Sequence, residues 1–151
     1  SFDHLKATWA AIKHDIPEGW SIFGENCYAK HSIFYNRLPA YFLVFGVRMD
    51  LDGDWLSWTD VEVIAKSLNL QTVPQLWRGE VADEKALRAL VKRLVDLGSR
   101  CGGEAIEGLV IRDSNHFFNF EDSVSKWVRA GHIQTDEHWM LQEVTPNKLR
   151  I

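Results

Sequence analysis

The chain has 151 residues, 46% of them apolar and 25% charged, which is the composition of an ordinary globular protein and predicts a single domain over residues 1–151. Its net charge of −4 excludes a protein that is basic throughout, although five acids between Asp50 and Glu62 leave the rest of the chain at about +1. No apolar run approaches the ~20 residues of a membrane span, and no signal-peptide pattern is present.

The first part of the chain predicts a helix followed by strands. Apolar residues recur at three- and four-residue spacing from Phe2 to Ile12, which indicates an amphipathic helix that ends before Pro17. Two apolar stretches then predict strands, and the Asp-Gly pair at Gly53 predicts a tight hairpin turn into a short third strand. The strands are expected over residues 20–29, 41–49 and 55–58, with an irregular connection over 31–39.

The second part predicts two helices and more strands. Thr59 and Glu62 have the spacing of a capping box at the start of a helix, and Asp83 is placed to cap a longer helix that Gly98 ends. Pro74 removes a hydrogen-bond donor, so a strand around it is expected at a sheet edge. The remaining strands are expected over residues 72–78, 107–112, 116–120 and 125–129. The sum is an α+β fold with mostly antiparallel sheets flanked by helices.

The two cysteines, Cys27 and Cys101, are far apart in the sequence and form no CxxC pair. We interpret them as reduced thiols rather than a disulfide, which favours a cytoplasmic protein.

Two residues near the first strands are candidates for a ligand site. Glu25 follows Gly24, and a glycine permits close approach of a ligand to the backbone, but a glutamate there is also typical of a solvated strand. Phe45 lies in an apolar run, so packing in the core competes with stacking on a nucleobase.

Three more candidates lie in the last strands. Glu107 opens the sequence EGLVIR, and an acid at the mouth of a strand can hold a metal ion or its waters beside a phosphate. Lys126 alternates with Val128, and on an inward face it would need an anion, either a phosphate or a carboxylate such as Glu25 or Glu107. Arg129 could provide a second cation.

Other site types have weak support or none. His132 and His138 flank Asp136, but their spacing does not fit a helical pair of zinc ligands. The sequence DLDGD lacks the glutamate of a calcium-binding EF-hand loop, because Val61 stands at position 12, and a hairpin is favoured. No P-loop, dinucleotide-binding or nucleophile-elbow motif is present.

Four motifs occur in an order that resembles the RNA ligase family, one of the covalent nucleotidyltransferases that also include DNA ligases and mRNA capping enzymes. They are FGENCYAKHSI, YFLVFGV, EGLVIR and SKWVRAGHIQTDEHWM. The resemblance runs from about Glu18 to Met140. It implies a nucleotidyltransferase-like fold, ATP and Mg²⁺ or Mn²⁺ as cofactors, and RNA ends or nicked duplex nucleic acid as substrate.

The resemblance also implies roles for individual residues. In that family ATP adenylates a lysine, the AMP passes to a 5′-phosphate, and a 3′-hydroxyl displaces the AMP to seal the strand. Glu25 matches the acid that holds the ribose, and Phe45 matches the aromatic residue that stacks on adenine. Glu107 matches the acid that engages the catalytic metal, and Lys126 matches the lysine that contacts the α-phosphate.

This sequence departs from the family pattern in two respects. The nucleophilic lysine lies in a K-x-D-G motif ahead of the GEN strand, and no such motif occurs here, which leads us to expect it upstream of Ser1 and to regard the chain as a partial domain. The second lysine expected after Lys126 is replaced by Val128. A catalytically inert nucleotide- or RNA-binding remnant and a capping-type guanylyltransferase are therefore alternatives. Lys30 and His31 have no assigned role.

Overall fold

The structure is a computed structural model that describes residues 2–31, 33–103, 105–129 and 144–151. Its elements confirm an α+β fold with antiparallel sheets and helices. In chain order they are α1 (Asp3–Ile12), β1 (Trp20–Asn26), β2 (Phe42–Met49), β3 (Asp54–Trp55), α2 (Trp58–Ser67), β4 (Gln71–Thr72), α3 (Glu84–Asp96), β5 (Gly108–Arg112), α4 (Phe120–Ser123) and β6 (Val124–Val128).

The larger sheet is built around β2. Strand β1 pairs antiparallel with one side of β2, while β3 and β4 pair with the other side, antiparallel and parallel respectively. Helix α2 covers one face, where Val61 and Ala65 pack against the fully buried Val44 and Val47. Burial of these apolar side chains fixes α2 against the sheet. The opposite face of β1 and β2 carries Phe23, Glu25 and Phe45.

The hairpin prediction is confirmed, but the strand after it is shorter than expected. Gly53 has a φ of +69°, the left-handed conformation that its turn requires. The strand expected over 55–58 consists only of Asp54–Trp55, because Ser57 already caps α2 by accepting a hydrogen bond from the Asp60 amide at 3.2 Å. The predicted cap at Thr59 was therefore two residues late.

Two other predicted strands are absent or short in the described part of the chain. The strand expected over 72–78 reduces to β4, which ends two residues before Pro74. The strand expected over 116–120 is a single bridge between Phe117 and Trp55, and α4 begins at Phe120. Asn119 caps α4 by accepting a hydrogen bond from the Asp122 amide, so a helix begins where the strand was expected to continue.

Helix α3 and the second sheet agree with the predictions made from the sequence. Asp83 caps α3 by accepting a hydrogen bond from the Ala86 amide at 2.8 Å, and Gly98 follows the helix with a φ of +80°. Strands β5 and β6 form a separate antiparallel pair. Gly108 is required in that pair, because a Cβ there would collide with the carbonyl oxygen of Trp127.

The segment 144–151 is tied to the connection between β1 and β2 by one buried side chain. The Asn147 amide nitrogen donates to the carbonyl oxygens of Cys27 (2.9 Å) and Ala29 (3.2 Å), and its oxygen accepts from the Tyr35 amide (2.9 Å). These bonds satisfy a side chain that is only 2% exposed. Among the described residues, no helix is long and apolar enough to cross a bilayer.

Candidate functional site

A β-bulge places Phe45 at the centre of the face opposite α2. Phe23 pairs with Gly46, but the next residue, Gly24, pairs with Val44, so Phe45 is the extra residue of β2. A bulge interrupts the alternation of a strand and redirects a side chain, and bulges are frequent beside active sites. The Phe45 side chain is half-buried and belongs to neither buried core cluster of the described residues.

Glu25 lies on the same face as Phe45. Trp20 and Ile22 pack against the α2 cluster, so the alternation of β1 turns Phe23 and Glu25 to the other side. The Phe23 ring lies 6.4 Å from the Phe45 ring, which confirms that the two share a face. Glu25 is exposed there. An exposed carboxylate and a half-buried aromatic ring therefore lie on one face of the sheet.

Gly24 has a structural use that differs from the one expected. A Cβ at this position would lie 2.5 Å from the Phe42 ring and 2.7 Å from the Leu43 carbonyl oxygen. The space beside the glycine is filled by the protein itself, so it is not left for a ligand.

Arg112 holds the bulge from the second sheet. Its guanidinium donates to the carbonyl oxygens of Phe45 at 3.3 Å and Leu56 at 3.0 Å. It also lies over the Trp58 and Phe117 rings, 5.4 and 4.9 Å from their centroids. Burial lowers the pKa of Arg112 from its usual value, and the two carbonyls and two rings offset the cost of burying the charge.

Glu25 acts electrostatically on the half-buried Cys27. Burial, followed by the negative charge of Glu25, raises the pKa of the Cys27 thiol from 9.0 to about 11. Cys27 packs against the second core cluster, formed by Leu38, Leu43 and Cys101. Both cysteines are free, which confirms the prediction of two reduced thiols.

Glu107 approaches the same second core cluster from the other sheet. The Tyr35 hydroxyl donates a hydrogen bond to a Glu107 carboxylate oxygen at 3.1 Å. Burial and the neighbouring Glu107 charge raise the pKa of Tyr35 well above its usual value, so the hydroxyl keeps its proton and stays a donor. Because Tyr35 and Cys27 pack against one cluster, Glu107 and Glu25 border the same region of the molecule.

Lys126 is not on an inward face, so that part of the prediction was wrong. It pairs with Val110, and both residues are exposed, whereas the neighbouring Trp127 pairs with the buried Leu109. The alternation along β6 was predicted correctly, but its buried side is the one that carries Trp127.

In the described part of the chain, the Lys126 side chain forms no ion pair or hydrogen bond, so the carboxylate partner considered from the sequence is not observed. Arg129 lies closer to Glu107, because its amide donates to the Glu107 carbonyl oxygen at 3.2 Å. The roles of Lys126 and Arg129 at phosphate stay predictions.

The described residues contain no group of three or more His, Cys, Asp or Glu side chains that could hold a metal ion by itself. The weak zinc candidates His132, Asp136 and His138 lie outside the described residues. Mg²⁺ needs only one or two protein carboxylates, because waters and substrate phosphates complete its coordination. Glu107, a half-buried carboxylate oriented by Tyr35, fits that donor set.

Comparison with models of protein families shows which family the sequence matches. The family model described as RNA ligase matches residues 1–128, which is most of the sequence. The chain belongs to the RNA ligase family. The matched range includes Glu25, Phe45, Glu107 and Lys126, whereas Arg129 and most of the motif SKWVRAGHIQTDEHWM lie beyond it. Comparison with curated proteins gave no significant match, and neither did comparison with solved structures.

Two residues that support the candidate site were not predicted from the sequence. Tyr35, which orients Glu107, lies in the irregular connection before β2, where no periodic pattern marks its partner. Arg112 ends the motif EGLVIR, and a charged residue at the end of an apolar strand was the available signal. Both act through backbone or carboxylate groups that only the tertiary fold brings near them.

Proposed function

We propose that this chain is the nucleotidyltransferase domain of an ATP-dependent RNA ligase. The single observation that carries the proposal is the accessible pair of Glu25 and Phe45 on one sheet face, in a chain that belongs to the RNA ligase family. A carboxylate accepts hydrogen bonds from ribose hydroxyls, and an aromatic ring stacks on any base. Together they suit a nucleoside.

The proposed reaction has three steps that transfer one nucleotidyl group. A lysine nitrogen forms a bond to the α-phosphorus of ATP, and the bond to the β-phosphate oxygen breaks with release of pyrophosphate. An oxygen of the RNA 5′-phosphate then displaces the lysine from the AMP phosphorus. Finally the 3′-hydroxyl attacks the 5′-phosphorus, loses its proton and releases AMP, which leaves a phosphodiester bond.

The residues of this chain would act mainly by binding the nucleotide and by stabilising negative charge on its phosphate. Glu25 would bind the ribose and Phe45 the adenine, which positions the α-phosphate for attack. Lys126 and Arg129 would donate to phosphate oxygens, whose negative charge grows in each transition state. Glu107 would hold Mg²⁺ directly or through water; when bound, this ion neutralises phosphate charge.

The decisive experiment is covalent labelling of the full-length natural protein with [α-³²P]ATP and magnesium. The proposal predicts a labelled adduct that survives denaturing electrophoresis and is released by acid, as a phosphorus–nitrogen bond requires. Glu107→Gln should lower its yield, while Glu62→Gln, a matched change on the exposed surface of α2, should not. Absence of an adduct would overturn the enzyme assignment.

A second candidate, a catalytically inert nucleotide- or RNA-binding remnant, is favoured by one observation: the 151-residue sequence contains no K-x-D-G. Binding of ATP and nicked RNA by the full-length protein without any adduct would select this candidate. Labelling by GTP in preference to ATP would instead select a capping-type guanylyltransferase.

A further inference from the structure

A cavity lies at the C-terminal end of α3, apart from the face that carries Glu25 and Phe45. Its volume is about 360 Å³, within the size range of small-ligand sites. Three leucines and three arginines contribute to its lining: Leu76, Leu94, Leu97, Arg37, Arg100 and Arg150. We refer to it as the arginine cavity.

The three arginines come from separate segments that the backbone holds together. The Arg37 amide donates to the Cys101 carbonyl oxygen at 2.9 Å, and the Arg150 amide donates to the Leu38 carbonyl oxygen at 3.0 Å. The Arg100 guanidinium donates to the Gln75 carbonyl oxygen at 2.7 Å. Their arrangement follows from the tertiary fold and not from a run of basic sequence.

Among the described residues, no acidic side chain lines the arginine cavity, and none of its three arginines forms a salt bridge. The C-terminus of α3 contributes the equivalent of about half a negative charge, far less than three guanidinium groups carry. The cavity therefore attracts an anion.

We propose that the arginine cavity binds a phosphate of the RNA strand, as a second contact outside the nucleotide site. Guanidinium groups bind phosphate through paired hydrogen bonds, and three of them can follow a phosphodiester backbone. The leucines provide an apolar wall for a sugar or base. The inference takes only the choice of RNA from the proposed function and does not depend on adenylation.

The test is the affinity of this chain for a fluorescent 12-nucleotide single-stranded RNA, measured by anisotropy between 50 and 300 mM salt. Arg37→Gln and Arg150→Gln are suitable variants, because within the described residues neither guanidinium makes a hydrogen bond that the change would break. Each should weaken binding about eightfold at 50 mM salt and reduce the slope of log K against log salt by about 0.7, the value for one phosphate contact on a single strand.

Lys85→Gln is the matched control, since it removes one exposed positive charge at the other end of α3, about 18 Å along the helix from Leu97. It should leave affinity and slope unchanged. Equal effects of Lys85→Gln and the arginine variants, or no effect of the latter, would overturn the inference. The inference would also be overturned if the protein bound inorganic phosphate or pyrophosphate with micromolar affinity, and the arginine variants lost that binding but still bound RNA like wild type.

Failure of this inference is distinguishable from failure of the proposed function. Formation of the AMP adduct by the full-length protein should be unaffected by Arg37→Gln and Arg150→Gln. If no adduct forms but RNA binding depends on the arginines, only the proposed ligase chemistry is contradicted. If the adduct forms but the arginine variants bind RNA like wild type, only the proposed role of the arginine cavity is contradicted.

Discussion

The Tyr35 hydroxyl donates a hydrogen bond to the Glu107 carboxylate at 3.1 Å, and so a residue from the irregular connection before β2 orients an acid at the mouth of β5. Tyr35 itself is held by its amide, which donates to the buried Asn147. The position of the carboxylate therefore depends on three segments of the chain, and the proposed metal-binding role of Glu107 rests on all of them.

Removing the Tyr35 hydroxyl should impair activity without unfolding the protein. In Tyr35→Phe, Glu107 keeps its charge but loses the hydrogen bond from Tyr35, and outer contacts of this kind are typically worth about 10- to 100-fold in metal affinity or activity. We expect the Mg²⁺ concentration for half-maximal adduct formation by the full-length protein to rise about tenfold. Tyr41→Phe is the control, because its hydroxyl donates instead to the Asn147 carbonyl oxygen. An equal shift in both variants would assign Tyr35 a purely structural role.

The Cys27 thiol should react slowly with iodoacetamide. Because the pKa is raised from 9.0 to about 11, the reactive thiolate at pH 8 should be about 100-fold scarcer than for an unperturbed cysteine. Glu25→Gln removes one cause of the shift, so alkylation at Cys27, followed by peptide mass spectrometry, should become several-fold faster. Glu18→Gln lies before β1 and serves as control. An unchanged rate in Glu25→Gln would contradict the proximity of Glu25 and Cys27.

Arg112→Leu should lower the free energy of unfolding by about 2–4 kcal/mol, because it leaves the Phe45 and Leu56 carbonyl oxygens without a charged donor. Urea denaturation measures this loss. Arg48→Leu provides a comparison: Arg48 also lies over two aromatic rings, but its ion pair with Asp50 is exposed and should contribute less than about 1 kcal/mol. Comparable losses in both variants would show that Arg112 does not hold the bulge.

His4→Phe should stabilise the protein. The His4 ring lies 5.1 Å from the Tyr28 ring and 5.7 Å from the Tyr41 ring, yet both of its nitrogens are buried without a hydrogen-bond partner among the described residues. Phenylalanine keeps the ring contacts and removes the unsatisfied nitrogens, for a gain of about 1 kcal/mol in thermal or urea unfolding. His14→Phe, at an exposed position beyond α1, should change stability by less than about 0.5 kcal/mol. A loss of stability in His4→Phe would contradict the claim that unsatisfied nitrogens make His4 unfavourable at this position.

Most helices and strands were predicted because caps, turns and periodic apolar residues are visible within a short stretch of sequence. The Asp83 cap and the Asp-Gly turn at Gly53 need only a few neighbouring residues, and both are observed. The start of α2 was misplaced because Ser57 and Thr59 are both good caps, and packing of Trp58 in the core selects the earlier one. The buried side of β6 was misplaced because Trp127 and Val128 are both apolar, and pairing with Leu109 decides between them.

The residues of the candidate site are predictions from the sequence, but their geometry comes only from the structure. The motifs singled out Glu25, Phe45 and Glu107, yet nothing in the sequence near Phe45 shows that it is the extra residue of a bulge. That feature depends on the register between β1 and β2, and its support by Arg112 depends on the contact between two sheets. Non-local relationships of this kind leave no periodic signal in a single sequence.

The central claim, that Glu25 and Phe45 form the wall of a nucleotide site, is tested most directly by calorimetric titration of ATP and magnesium into the protein. Wild type should bind ATP, and Glu25→Gln should weaken binding about tenfold by removing charge-assisted hydrogen bonds to the ribose. Glu62→Gln, the same change on the α2 side of the sheet, should bind ATP like wild type. Undetectable binding by wild type, or equal affinities for all three proteins, would contradict the account.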